Sequence, residues 1–166
     1  MFRRGGLTMP PLPPPIRGRP DVWKELTPET AEKAIETVKN ALPFLTAGTP
    51  IVHRAPHGAH VDVPVMYLSF AIDRLHYNPE TGNPLPKGLP GAYSGEIDPA
   101  EVKDKAEEIL GELRVLGAAE FRGPENCWVV PVAWKSFVVL HVRVSADGKE
   151  LVPDYGLTEE VRRHGI

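Results

Sequence analysis

The chain has 166 residues, 42% of them apolar, with a formal net charge of −3 and a single cysteine. That size holds one domain, or one pair of half-domains around a shared core. The charge lacks the global basic field of a nucleic-acid binder, lone Cys127 excludes an internal disulfide, and no apolar run approaches the ~20 residues that span a bilayer. The N-terminus carries two arginines without an apolar segment behind them, so it is not a secretory signal. Together these features read as a cytoplasmic protein that is no nucleic-acid binder and has no membrane partner.

Residues 1–20 read as a basic, proline-rich arm. They carry Arg3, Arg4, Arg17 and Arg19 and no acidic residue. Residues 9–15, M-P-P-L-P-P-P, favour extended polyproline II, because proline lacks an amide donor and fixes φ. Residues 21–166 read as one α+β domain. Its first helix spans about 28–45, capped by Thr27 with Pro28 in the first position. Ala31, Ala34, Ile35, Val38, Ala41, Leu42 and Leu45 form its apolar stripe, and Pro43 falls in its last turn. A short strand at 51–54 and a turn at 55–58 follow. Residues 60–77 are strand-like but too long for one ordinary strand, so a bend near Leu68-Ser69 divides them. Residues 78–96 are rich in proline and glycine and read as a long loop.

The second helix starts at Pro99, capped by Asp98. Its stripe is Val102, Ala106, Ile109, Leu110 and Leu113, and Gly117 is placed to end it. Strands follow near 119–122, 127–134 and 137–144. Asp147-Gly148 signals a hairpin turn into 151–153. Thr158 is the expected cap of a short last helix.

Within this order the chain repeats itself. V-P-V-M-Y-L-S-F-A-I at 63–72 is answered by V-P-V-A-W-K-S-F-V-V at 130–139. Upstream, Leu26-Thr27-Pro28 is matched by Ile97-Asp98-Pro99. Downstream, the turn at 78–82 is matched by the one at 145–148. Collinear matches with small gaps point to a duplicated unit, at about 26–82 and 97–148. The expected fold is therefore two pseudo-twofold-related helix–strand–strand units, forming a mostly antiparallel sheet with both main helices on one face.

Chemistry is written more faintly. His53, His57, His60 and Asp62 fall within one strand–turn–strand, and the second copy has no such cluster. Imidazole with carboxylate suits a divalent transition metal. The alternatives are surface histidines beside a turn, or a histidine acting as acid, base or anchor. No spacing of a known zinc signature is present. Arg74 and His76 share a strand face, and His141 and Arg143 fill the matching places. Near a pseudo-twofold axis these four would form a basic patch for a small anionic ligand, as against ordinary solvated charges. No phosphate-binding glycine loop, C-x-x-C or assignable nucleophile triad occurs. The favoured expectation is a non-catalytic accessory subunit that binds a protein partner or forms a homo-oligomer. The alternatives are a small metal-dependent enzyme and an anion binder.

Overall fold

The computed structural model describes residues 26–89 and 91–163. The expected arm at 1–20 lies outside the described residues.

Helix α1 (Pro28–Ala41) begins at a capping box in which Thr27 and Thr30 satisfy each other's backbone amides. It stops earlier than its apolar stripe suggests. Pro43 has no amide to continue the ladder, and Leu42–Phe44 tightens into a 3-10 turn. Five strands follow: β1 (Thr46–Ala47), β2 (Ile51–Ala55), β3 (Gly58–Tyr67), β4 (Phe70–Asn78) and β5 (Asn83–Pro84). Helix α2 (Pro99–Leu110) is capped by the Asp98 carboxylate, which accepts from the Ala100 amide. It ends at Gly111, not Gly117, and Leu113 opens the next strand. Then come β6 (Leu113–Val115), β7 (Glu120–Arg122), β8 (Cys127–Trp134), β9 (Phe137–Ser145) and helix α3 (Tyr155–Arg163).

The strands make two antiparallel sheets rather than one. In the first, β3 pairs with β4 on one side and with β1 and β2 on the other, and β5 adds to β4. In the second, β8 pairs with β9 on one side and with β6 and β7 on the other. The two hairpins share their details. Each has a bulge, between Val65 and Met66 and between Val132 and Ala133. Each turns at a non-glycine residue in the left-handed region, Leu68 (φ 56°) and Lys135 (φ 52°). β1 meets β3 at Ala47–Val65, and β6 meets β8 at Val115–Val132.

β4 and β9 lie against each other without a continuous ladder, so the sheets stay separate. Two passing segments join them instead. Leu85 donates its amide to the His76 carbonyl and Lys87 donates to Val138. Val152 donates to the Arg143 carbonyl and Asp154 donates to Ala71. The second pair of bonds repeats the first at a constant sequence offset. The helices also cross over. α1 packs on β6, β8 and β9, whereas α2 packs on β1, β3 and β5. At one such contact the turn after β9 approaches α1 so closely that a Cβ on Gly148 (φ +78°) would lie 2.8 Å from the Thr30 carbonyl oxygen.

The core lies between α1, α2 and the inner faces of both sheets. Val63, Val65, Leu75, Val130, Val132, Leu140 and Val144 are fully buried there. Each such side chain contributes about 1.5–3 kcal/mol relative to exposure. Helix α3 covers the opposite face of the first sheet, setting Leu157 and Val161 on Ile51 and Ala71. Its cap is Asp154, which accepts from the Leu157 amide at 3.0 Å. Thr158, the cap expected from sequence, sits inside the helix. Its hydroxyl instead accepts the Ala71 amide at 3.0 Å.

Candidate functional site

β3 and β4 place the main polar cluster beneath α3. Asp62 and His76 are direct partners across the ladder, with Arg74 beside Pro64 two residues away. Residues two apart on a strand share a face, so the three side chains converge. Asp62, only 5% exposed, accepts from His76 Nδ1 at 2.6 Å and from Arg74 Nη1 at 3.1 Å. Arg74 Nη2 also donates to Glu160 of α3 at 3.3 Å. Burial pushes the Asp62 carboxyl up, but hydrogen bonds and charge from His76 and then Arg74 outweigh it. The group is held below the usual carboxylate range.

This geometry overturns the metal expectation. His53 Nε2 lies 3.6 Å from both Asp62 and Glu160, but these carboxylates are already engaged by Arg74, and Asp62 also by His76. Both Asp62 oxygens already face cationic or N–H groups of the chain. His60 faces the same side, opposite His53 in the ladder, but its Nδ1 is bonded to the Gly91 carbonyl at 2.8 Å. His57 stays at the turn, its ring 6.2 Å from that of His60. Among the described residues, no group of three or more His, Cys, Asp or Glu can hold a metal ion. The expected divalent-metal site at His53, His57, His60 and Asp62 is therefore not formed, and the metal-dependent enzyme expected from it has no metal centre among the described residues.

The four cations singled out from the sequence fall into two groups. Arg74 and His76 turn onto Asp62. Arg143 turns onto Glu125, with Nε 2.6 Å from the carboxylate. Burial pushes the His141 imidazole down, Asp73 pulls it up, and Lys87, Arg122 and Arg143 push it down again, leaving it below its usual value. Cys127 is buried, and burial followed by the Glu125 charge raises its thiol pKa, as befits a packing residue and not a nucleophile.

A second buried acid stands at the seam between the sheets. Asp73, 4% exposed, accepts from Lys87 Nζ at 2.7 Å and from the His141 backbone amide at 2.7 Å. It ties β4, the segment after β5 and β9 in one contact. Its counterpart in the other hairpin is the core residue Leu140. Lys87 and Glu160 carried no sequence signal beyond their charge.

One corner of the surface exposes large apolar side chains. Leu68, at the tip of the β3–β4 hairpin, is 77% exposed, and nearby Phe44 is 66% exposed. Between them lies a groove of about 440 Å³ walled by α1, the hairpin tip and the turn after β9, with Tyr67, Phe70 and Leu151 on its floor. The Tyr67 and Phe70 rings meet edge to face at 5.9 Å. The signal for this surface was present in the repeat, where Leu68 stands opposite Lys135.

The chain matches no family model, no curated protein and no solved structure. Among the described residues, no helix is long and apolar enough to cross a membrane. The functional reading therefore rests on the geometry above.

Proposed function

We propose that the chain is a non-catalytic protein-interaction subunit that engages a protein partner, or another copy of itself, through the Phe44–Leu68 corner. The observation that carries this reading is Leu68. It is a large apolar side chain, three-quarters exposed, on a left-handed turn position that costs a non-glycine residue roughly 1–2 kcal/mol. Contiguous exposed apolar clusters mark interaction surfaces. The paired polar groups favour the same reading. Asp62, Asp73 and Glu125 are each closed by cations of the chain itself, which makes them fold contacts rather than groups waiting for a substrate.

On the same reading the body is two copies of one helix-and-hairpin unit related by a pseudo-twofold axis. The support is the shared bulge, the shared left-handed turn and the reciprocal bonds of Lys87 and Asp154.

The test is photo-crosslinking in cells, from a benzophenone side chain at position 68 and, separately, at position 135. A discrete heavier product from 68 and none from 135 is expected. Indistinguishable patterns from the two positions, or no heavier product from 68, would overturn the proposal.

A further inference from the structure

Among the described residues four large apolar side chains are exposed, and two of them, Phe44 and Leu68, border the same groove. That groove, about 440 Å³, is floored by Tyr67, Phe70 and Leu151. Leu68 sits at a left-handed turn position on its rim and stays three-quarters exposed beside the hollow instead of filling it. One patch of surface thus carries projecting apolar groups and, next to them, a hollow of matching chemistry. A contact between two identical chains about a twofold axis requires such a patch, because the same surface must serve both sides.

We infer that the Phe44–Leu68 corner joins two copies of this chain about a twofold axis, Leu68 of each copy entering the groove of the other. Charge favours this occupant. The charged residues lining the groove are Lys149 and Glu150, one of each sign. Two copies therefore meet there without an excess of like charge, although each chain carries a net −3. The hollow on the other side of the hairpin tip is different. Lys103 and Arg162 line it and no acidic side chain does, so two copies placed there would set cations against cations. The matching turn of the second hairpin has the same defect, with Lys135 in place of Leu68. Asn40, on the wall of the Phe44–Leu68 groove, both donates and accepts hydrogen bonds and so can pair with its own kind. Aromatic side chains at the centre with polar groups around them are the usual composition of a contact between proteins.

This inference rests on the corner being an interaction surface and narrows the partner to a second copy. Sedimentation of the full chain over a concentration series should show reversible association to twice the mass of one chain. Leu68→Lys installs the residue that already occupies the matching turn, so the fold tolerates it. It should weaken association by about 30-fold or more, as the loss of a central apolar anchor does. Lys135→Ser should leave association unchanged. Chains carrying Leu68→Cys and Leu151→Cys, mixed and oxidised, should form a disulfide-linked pair that neither forms alone. Sedimentation as a single chain at every concentration, association undiminished by Leu68→Lys, equal weakening by Lys135→Ser, or no disulfide specific to the mixture would each overturn the inference. A single chain in solution whose position 68 still crosslinks to a heavier product in cells sinks the inference alone and leaves a different protein as the partner. A single chain that gives no heavier product sinks the inference and the proposed function together.

Discussion

The turn from β3 to β4 and the turn from β8 to β9 follow the same backbone path and end in opposite surfaces. In the second, Lys135 lies over the Trp134 ring at 4.4 Å, and the indole donates to Glu112 at 2.9 Å. Arg114 closes the same corner by donating to the Lys135 carbonyl. In the first, Leu68 projects into solvent, and Tyr67 and Phe70 line an open groove. A shared hairpin can thus be finished with polar contacts or left apolar, and the difference rests on side chains that leave the fold unchanged. The contrast reverses in the interior. Asp73 stands where the other hairpin has Leu140, and Asp62 stands where it has Val129. Inside, the first hairpin carries carboxylates where the second carries apolar side chains.

Exchanging residues between the two hairpins would break this contrast where it is real. The largest effect is expected at Asp73. Asp73→Leu installs the counterpart residue but strands the Lys87 ammonium and the His141 amide. We expect a loss of about 3–5 kcal/mol in urea unfolding, partly recovered by adding Lys87→Met. A neutral Asp73→Leu would mean that the seam does not depend on this ion pair.

Asp62 should show a smaller, pH-dependent effect. Its folded pKa is lowered, so its contribution is full above the unfolded value near 3.8 and is lost as pH falls through the folded value. At pH 7, Asp62→Asn should cost about 1–3 kcal/mol. As pH falls below about 4 the gap between the melting curves of variant and wild type should begin to close. A gap that stays constant down to pH 2 would remove the carboxylate from the account.

The smallest effect separates the two turn residues. Leu68→Gly relieves the left-handed strain and should raise stability by up to about 1 kcal/mol. Lys135→Gly gains the same relief but loses a cation–π contact worth about 0.5–1 kcal/mol, so it should come out near zero. Urea midpoints at unchanged slope would measure both. Equal gains would mean that Lys135 draws nothing from Trp134.

The strong local signals were readable from the sequence. Thr27-Pro28 and Asp98-Pro99 begin the helices as their chemistry requires, and the division at Leu68-Ser69 is a real turn. The failures are instructive in physical terms. A stripe that continues apolar past Pro43 or Gly111 says nothing about where the hydrogen-bond ladder stops. Strands of two or three residues, such as β1 and β6, carry too few positions to show a period. The single expected sheet became two because Asp73, Lys87 and the passing backbones occupy the seam. Of the candidate site, His53 and Asp62 do approach each other. What spacing could not reveal was that Arg74 and His76 would fill the carboxylate first.

The crossing of α1 and α2 onto each other's sheets has a consequence for the covalent chain. Residues 94–96 are exposed and lie between β5 and α2. A break there would yield one piece with a helix lacking its floor and a sheet lacking its roof, and a second piece short of the converse. Produced separately, neither could bury its valines alone. Mixed, the two should find each other and restore the whole, a split protein whose fragments are specific for one another by construction.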